Sequence, residues 1–118
     1  MNYNNSKPIY QQIGDIMSEK ILTGTWKPGE RIPSVRELAL SLEVNPNTVL
    51  KSFSFLEENE VIYKKRGIGY FVHAEGNKKI MAVKKAEFIK NRLPDFIKQM
   101  RLLEITLEEF KQFYLKQE

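Results

Sequence analysis

The sequence predicts a mostly α chain with one small β-hairpin, and three observations carry that prediction. Apolar residues recur at three- and four-residue steps over most of the 118 positions, the spacing that lines one face of a helix. Helix-start chemistry stands at Ser34, Asn45 and Thr106, each a residue type whose side-chain oxygen satisfies the free amides of a first turn. Finally, Val61, Ile62, Tyr63 and then Tyr70, Phe71, Val72 form short β-branched and aromatic runs around a Gly-containing centre, the pattern of two strands and a turn.

Ile9, Ile13, Ile16, Met17 and Ile21 set a first helix over about Pro8 to Thr23 and are expected to form its core face. Pro8 suits the first turn and Gly24 the left-handed stop. Lys27-Pro28-Gly29-Glu30 then reverses the chain, with Pro presetting φ and Gly accepting a positive one. Ser34-Val35-Arg36-Glu37 is a capping box, so a second helix starts at Ser34, with Val35, Leu38, Ala39 and Leu42 as its apolar stripe. It must stop before Pro46, which disfavours helical geometry in the residue preceding it. Asn45 as cap and Pro46 as first helical residue open a third helix at once, running through Val49, Phe53 and Leu56 toward Asn59. The hairpin follows, with Lys64, Lys65, Arg66 and Gly67 in its basic centre.

Residues 74–78 read as a polar linker. Beyond them Ala82, Ala86, Ile89, Leu93, Phe96, Met100, Leu103, Leu107, Phe110 and Tyr114 alternate steps of four and three, the seam of helix-on-helix packing. Pro94 interrupts it, and Thr106-Leu107-Glu108-Glu109 is a second capping box. The expectation is a kinked or broken helix over roughly 79–103 and a short helix over 107–116.

Composition narrows the function classes. The chain has 42% hydrophobic and 29% charged residues, as an ordinary globular protein does. Absence of cysteine excludes disulfides and thiolate metal sites and fits a cytoplasmic location. Neither a signal peptide nor a window of about 20 apolar residues is present, so no membrane partner is expected. A single histidine, His73, and scattered carboxylates offer no catalytic constellation and no metal site; no cofactor is implied. The net charge of +4 is uninformative as a sum. Up to Asn77 nine basic residues balance nine acidic ones, while Lys78 to Glu118 holds ten basic and six acidic residues. The first part nevertheless segregates its charge, with Glu57, Glu58 and Glu60 in one stretch and Lys64, Lys65 and Arg66 in another.

Helix, turn, short helix, tight turn, helix and basic hairpin is the order of a winged helix-turn-helix. A helix of this kind enters the major groove of double-stranded DNA with its N-terminal side chains toward the base edges, a preceding helix braces it, and the wing reaches a neighbouring groove. The candidate DNA-binding residues are accordingly Ser34 and Arg36 near the start of the second helix, Asn45, Asn47, Thr48 and Lys51 at the start of the third, and Lys64, Lys65 and Arg66 in the wing. Amides bond adenine, hydroxyls bases or phosphates, and ammonium groups guanine or phosphate.

Residues 21–39, ILTGTWKPGERIPSVRELA, resemble the opening signature of GntR-type regulators, and VNPNTV over 44–49 with the wing YKKRGIGYFV resembles the YtrA-type branch. The resemblance covers essentially the whole chain. It implies a winged helix-turn-helix over 1–77 and a helical dimerisation segment over 78–118, a homodimeric repressor on a palindromic operator, commonly beside genes for an ABC transporter. Carried over by position, the Arg of the S-x-R-E-L segment falls on Arg36, and the wing glycine that approaches the minor groove on Gly67. Other members place arginines at the positions of Pro46 and Leu50, so Asn45, Asn47 and Lys51 are expected to substitute in base readout. Glu60 stands where a glycine is common after the third helix, and Asn59 is expected to supply the left-handed turn. Dimerisation falls to Ile89, Leu93, Phe96, Met100, Leu103, Leu107 and Phe110.

Structural duties compete with these roles. Ser34 and Asn45 serve as caps whether or not DNA is present, whereas Asn47 and Lys51 have no such duty. Trp26, Tyr10 and Tyr63 read as packing residues. The rival function is a winged helix used only as a protein-interaction module; such modules lose the basic wing and the polar third helix that this chain keeps. A small-molecule effector is left open.

Overall fold

The computed structural model describes residues 7–117, and two compact units divide the chain, Met1–Ala82 and Val83–Glu118. The first unit contains α1 (Ile9–Leu22), α2 (Val35–Leu42), α3 (Pro46–Glu58), the antiparallel strands β1 (Ile62–Lys65) and β2 (Gly69–Val72), and the opening of α4 (Gly76–Asn91). Its core is built from Ile13, Met17 and Ile21 of α1, Leu38 and Ala39 of α2, Val49, Phe53 and Leu56 of α3, and Ile62 and Val72 of the hairpin, all buried. Ile9 and Ile16, expected on the core face of α1, are exposed. At about 100° per residue Ile16 lies about 100° from the middle of the stripe that Ile13, Met17 and Ile21 define, whereas Ile9, nearer the stripe, is the first residue of the helix.

The caps explain the helix boundaries. The Ser34 hydroxyl accepts the Glu37 amide at 3.0 Å while the Glu37 carboxylate accepts the Ser34 amide at 2.9 Å. Asn45 Oδ1 accepts the Asn47 amide at 2.8 Å, with Pro46 at the first helical position. Each cap satisfies amides that the helix cannot bond internally. At the other ends, α2 and α3 stop on Glu43 and Glu60, at φ 57° and 60°. Asn59, expected to make the second of these turns, keeps φ −89°. Its side-chain amide instead donates to the Phe55 carbonyl at 2.9 Å.

Register pairs Ile62 with Val72 and Lys65 with Gly69, which buries Ile62 and Val72 and leaves Lys64 and Lys65 exposed. A third segment joins β2. The Ile32 amide donates to the Tyr70 carbonyl at 2.9 Å and the Val72 amide to the Glu30 carbonyl at 3.0 Å, with Arg31 bridging Phe71. A two-stranded hairpin alone is marginal in water, so this extra rung and the Phe53–Tyr70 edge contact at 4.8 Å tie the wing to the helices.

Residues 74–78 are not the polar linker expected of them, because α4 already begins at Gly76. A Cβ on Gly76 would lie 2.5 Å from the Val61 carbonyl oxygen, so only glycine allows that approach. Asn77 donates to the Ile21 carbonyl at 3.1 Å, Lys79 pairs with Glu60 at 3.1 Å, and Ile80 is fully buried. The helix start is thereby part of the first unit's core.

The second unit comprises the rest of α4, α5 (Leu93–Leu102) and α6 (Leu107–Lys116). The expected break before Pro94 is present, and the Thr106 capping box opens α6, with Oγ1 accepting the Glu109 amide at 3.1 Å. α5 ends on Glu104 at φ 56°, the Ile105 amide donating back to the Met100 carbonyl at 2.8 Å.

Candidate nucleic-acid interface

α3 divides into two faces. Val49, Ser52, Phe53 and Leu56 are buried, and the Ser52 hydroxyl donates to the Tyr10 carbonyl at 2.6 Å, fixing α3 against α1. Asn47, Leu50, Lys51 and Ser54, at i, i+3, i+4 and i+7, therefore line the opposite face. Asn47, Leu50 and Lys51 are exposed, and Thr48 is half-buried at the edge. The Lys51 ammonium lies 5.5 Å from the Tyr10 ring centroid, so the aromatic face that sequence reading assigned to packing also holds a cation.

α2 contributes Arg36, exposed, and Ser34, half-buried in its cap. The Ser34 amide and hydroxyl hold the Glu37 carboxyl below its ordinary range, and Arg31 adds to that effect. Glu37 therefore stays ionised within the cap and strengthens it. On the wing, Lys64 and Lys65 project from successive strand positions to opposite faces. Their ammonium groups lie 5.8 Å from the Tyr70 and 4.6 Å from the Phe71 ring centroids. Arg66 and Gly67 are exposed at the turn.

Ionic pairing separates these cations from others in the molecule. Lys7 pairs with Asp15, Lys78 with Glu75, Lys79 with Glu60 and Lys84 with Glu87. Arg36, Lys51, Lys64, Lys65 and Arg66 make no such pair among the described residues. The acidic Glu57 and Glu58 occupy the far end of α3, leaving its N-terminal half as the part suited to an anionic ligand.

Two residues escaped the sequence reading. Arg31 bridges Phe71, and its Nε lies 2.8 Å from where a Cβ on Gly69 would stand; a guanidinium thus lies across the base of the wing, permitted by a glycine at φ 146°. The sequence signal was an arginine just after a Pro-Gly turn, which by itself reads as solvated. Leu50 is the second, noted in the sequence only as standing where other members place an arginine; it is an apolar side chain 45% exposed on the polar face of α3.

Within the second unit, Phe96 and Phe110 meet edge to face at 5.9 Å, and Tyr114 lies 6.1 Å from Phe110. Leu93, Met100 and Phe110 are half-buried. Ile89 and Phe96 are about half exposed, Leu103 68% and Leu107 80%.

A family model for bacterial regulatory proteins of the gntR family matches residues 9–72. The HTH-type transcriptional repressor YtrA of Bacillus subtilis is 38% identical over 108 residues, 92% of this chain and 82% of that one. A GntR family transcriptional regulator from Listeria monocytogenes superposes with a TM-score of 0.78 at 37% identity, covering 98% of this chain and all of the other. The DNA-binding domain of AraR, solved in complex with operator ORX1, superposes with a TM-score of 0.56 at 28% identity, covering 60% of this chain and 86% of that one.

Proposed function

The chain belongs to the gntR family of bacterial regulatory proteins, DNA-binding regulators of transcription rather than enzymes, and we propose that it acts in the cytoplasm as a homodimeric repressor on a palindromic operator. The observation that carries this reading is the exposed N-terminal half of α3, where Asn47 and Lys51 stand outward beside a wing whose cations make no ion pair among the described residues. Asn47, Thr48 and Lys51 read base edges, with Asn45 contributing through the part of its amide that the cap does not use. Ser34 and Arg36 hold the backbone at the start of α2, Lys64, Lys65 and Arg66 contact phosphates, and Gly67 lets the wing approach the minor groove. The exposed and half-buried apolar residues Ile89, Leu93, Phe96, Met100, Leu103, Leu107 and Phe110 join two copies. A two-fold dimer then sets two α3 helices about one DNA turn apart, ~10 bp, or a multiple of it.

Operator selection from a random duplex pool, followed by a salt titration of binding, tests this. With about 6–10 phosphates contacted per dimer, affinity falls roughly 10³–10⁵-fold between 50 and 200 mM salt. Asn47→Ala and Lys51→Ala each cost about 1–3 kcal/mol at one base position. A flat titration would make the fold a protein-interaction module instead.

A further inference from the structure

Leu50 is the residue whose placement the operator reading leaves unexplained. It is 45% exposed, one turn beyond Asn47 and next to Lys51, on a face whose other outward residues are polar. When that face enters a groove, its water is removed. A leucine cannot replace the hydrogen bonds that water gives to a base edge, so it penalises any edge made only of donors and acceptors. The major groove offers one apolar group, the C5-methyl of thymine.

We infer that Leu50 is a specificity residue that packs on a thymine methyl in each half-site; this rests on the operator reading above. Three residues of helix advance about 4.5 Å along the axis, against about 3.4 Å per base along a DNA strand. The thymine therefore stands within one or two base pairs of the base that Asn47 reads. Discrimination has two parts: favourable burial of a methyl against Leu50, and the unmet polar atoms of any other base opposite it.

The test uses the intact 118-residue chain and the duplex recovered by selection, with each thymine of a half-site replaced in turn by deoxyuridine, which removes the methyl and nothing else. One position is expected to weaken wild-type binding about fourfold, the effect of one buried methyl-sized group, and more when both half-sites are changed. Leu50→Ala, whose partly exposed site makes it a mild change to the fold, should lose that penalty at the same position while Asn47→Ala keeps it. Circular dichroism and an unchanged salt slope establish that the variant is folded and still holds phosphates. An operator with no methyl-sensitive position, or a Leu50→Ala protein that retains the penalty, overturns the assignment and leaves the operator reading intact. Failure to select any duplex overturns both.

Discussion

At the scale of single residues, three helices of this chain end on glutamates in the left-handed conformation, Glu43, Glu60 and Glu104. In each case two backbone amides fold back on the last turn. For α2 these are Glu43 to the Leu40 carbonyl at 3.3 Å and Val44 to the Ala39 carbonyl at 3.0 Å. Such bonds satisfy otherwise unpaired carbonyls, and they outweigh a left-handed cost of about 1–2 kcal/mol per residue for a side chain with a Cβ. Glu60 recovers part of that cost through Lys79, whose hydrogen bond and charge hold the carboxyl below its ordinary range. Glu43 makes no ion pair among the described residues. Glu43→Gly is therefore expected to stabilise the protein by up to about 1 kcal/mol, since it removes the strain at the expense of added unfolded-state freedom. Thermal unfolding would show a rise of a few degrees; a lower midpoint would mean that the glutamate makes an interaction worth more than its strain. Residue type alone marked none of these stops, although the resemblance set Glu60 where a glycine is common, and the reason is physical. Glycine and asparagine announce a left-handed residue, but any residue is accepted once the surrounding bonds demand it. Arg31 was missed similarly, and Leu50 was marked only by the arginine it replaces, because their significance lies in which face or strand they meet.

At the scale of elements, what the sequence made legible was whatever rests on local chemistry. The Ser34 and Thr106 capping boxes, the Asn45-Pro46 start and the break before Pro94 are where side-chain type predicts them. What it concealed depends on distant partners: the rung that Glu30 and Ile32 add to β2, and the burial of Gly76 and Ile80 that turns an apparent linker into core. The wing shows both. Its basic turn was plain from composition, while its attachment through Arg31, Phe71, Phe53 and Tyr70 required the fold. That attachment presents Lys64, Lys65 and Arg66 on a braced platform, but as point charges near phosphate they carry little information about sequence. Replacing all three by Ala is expected to weaken binding to the selected operator and to unrelated duplex by similar factors. The salt slope should fall by roughly one for each phosphate that is no longer neutralised. If only the operator complex suffered, the wing would be reading bases.

At the scale of the whole molecule, the two units differ in how they treat apolar residues. Met1–Ala82 buries a core of large side chains, whereas among the described residues of α5 and α6 none is buried, and Ile97, Leu102, Leu103, Leu107, Phe113 and Leu115 stand exposed. Surplus of this kind is what an interface consumes, so the segment proposed for dimerisation can be removed as a test, provided the cut respects the core. Ending the chain at residue 77, where composition first suggests a boundary, strips away Ile80 and the Lys79–Glu60 pair. Loss of a fully buried Ile costs on the order of 2–5 kcal/mol, enough to unfold a small domain. Ending it at Ala82 keeps both. The fragment 1–82 is therefore expected to be folded and monomeric by analytical ultracentrifugation, to bind unrelated duplex much as half of the full protein would, and to lose most of its preference for a two-half-site operator. The shorter fragment should show a clearly lower unfolding midpoint. A fragment 1–82 that remained dimeric at micromolar concentration would move the interface into the winged unit and leave the apolar residues of α5 and α6 to some other partner.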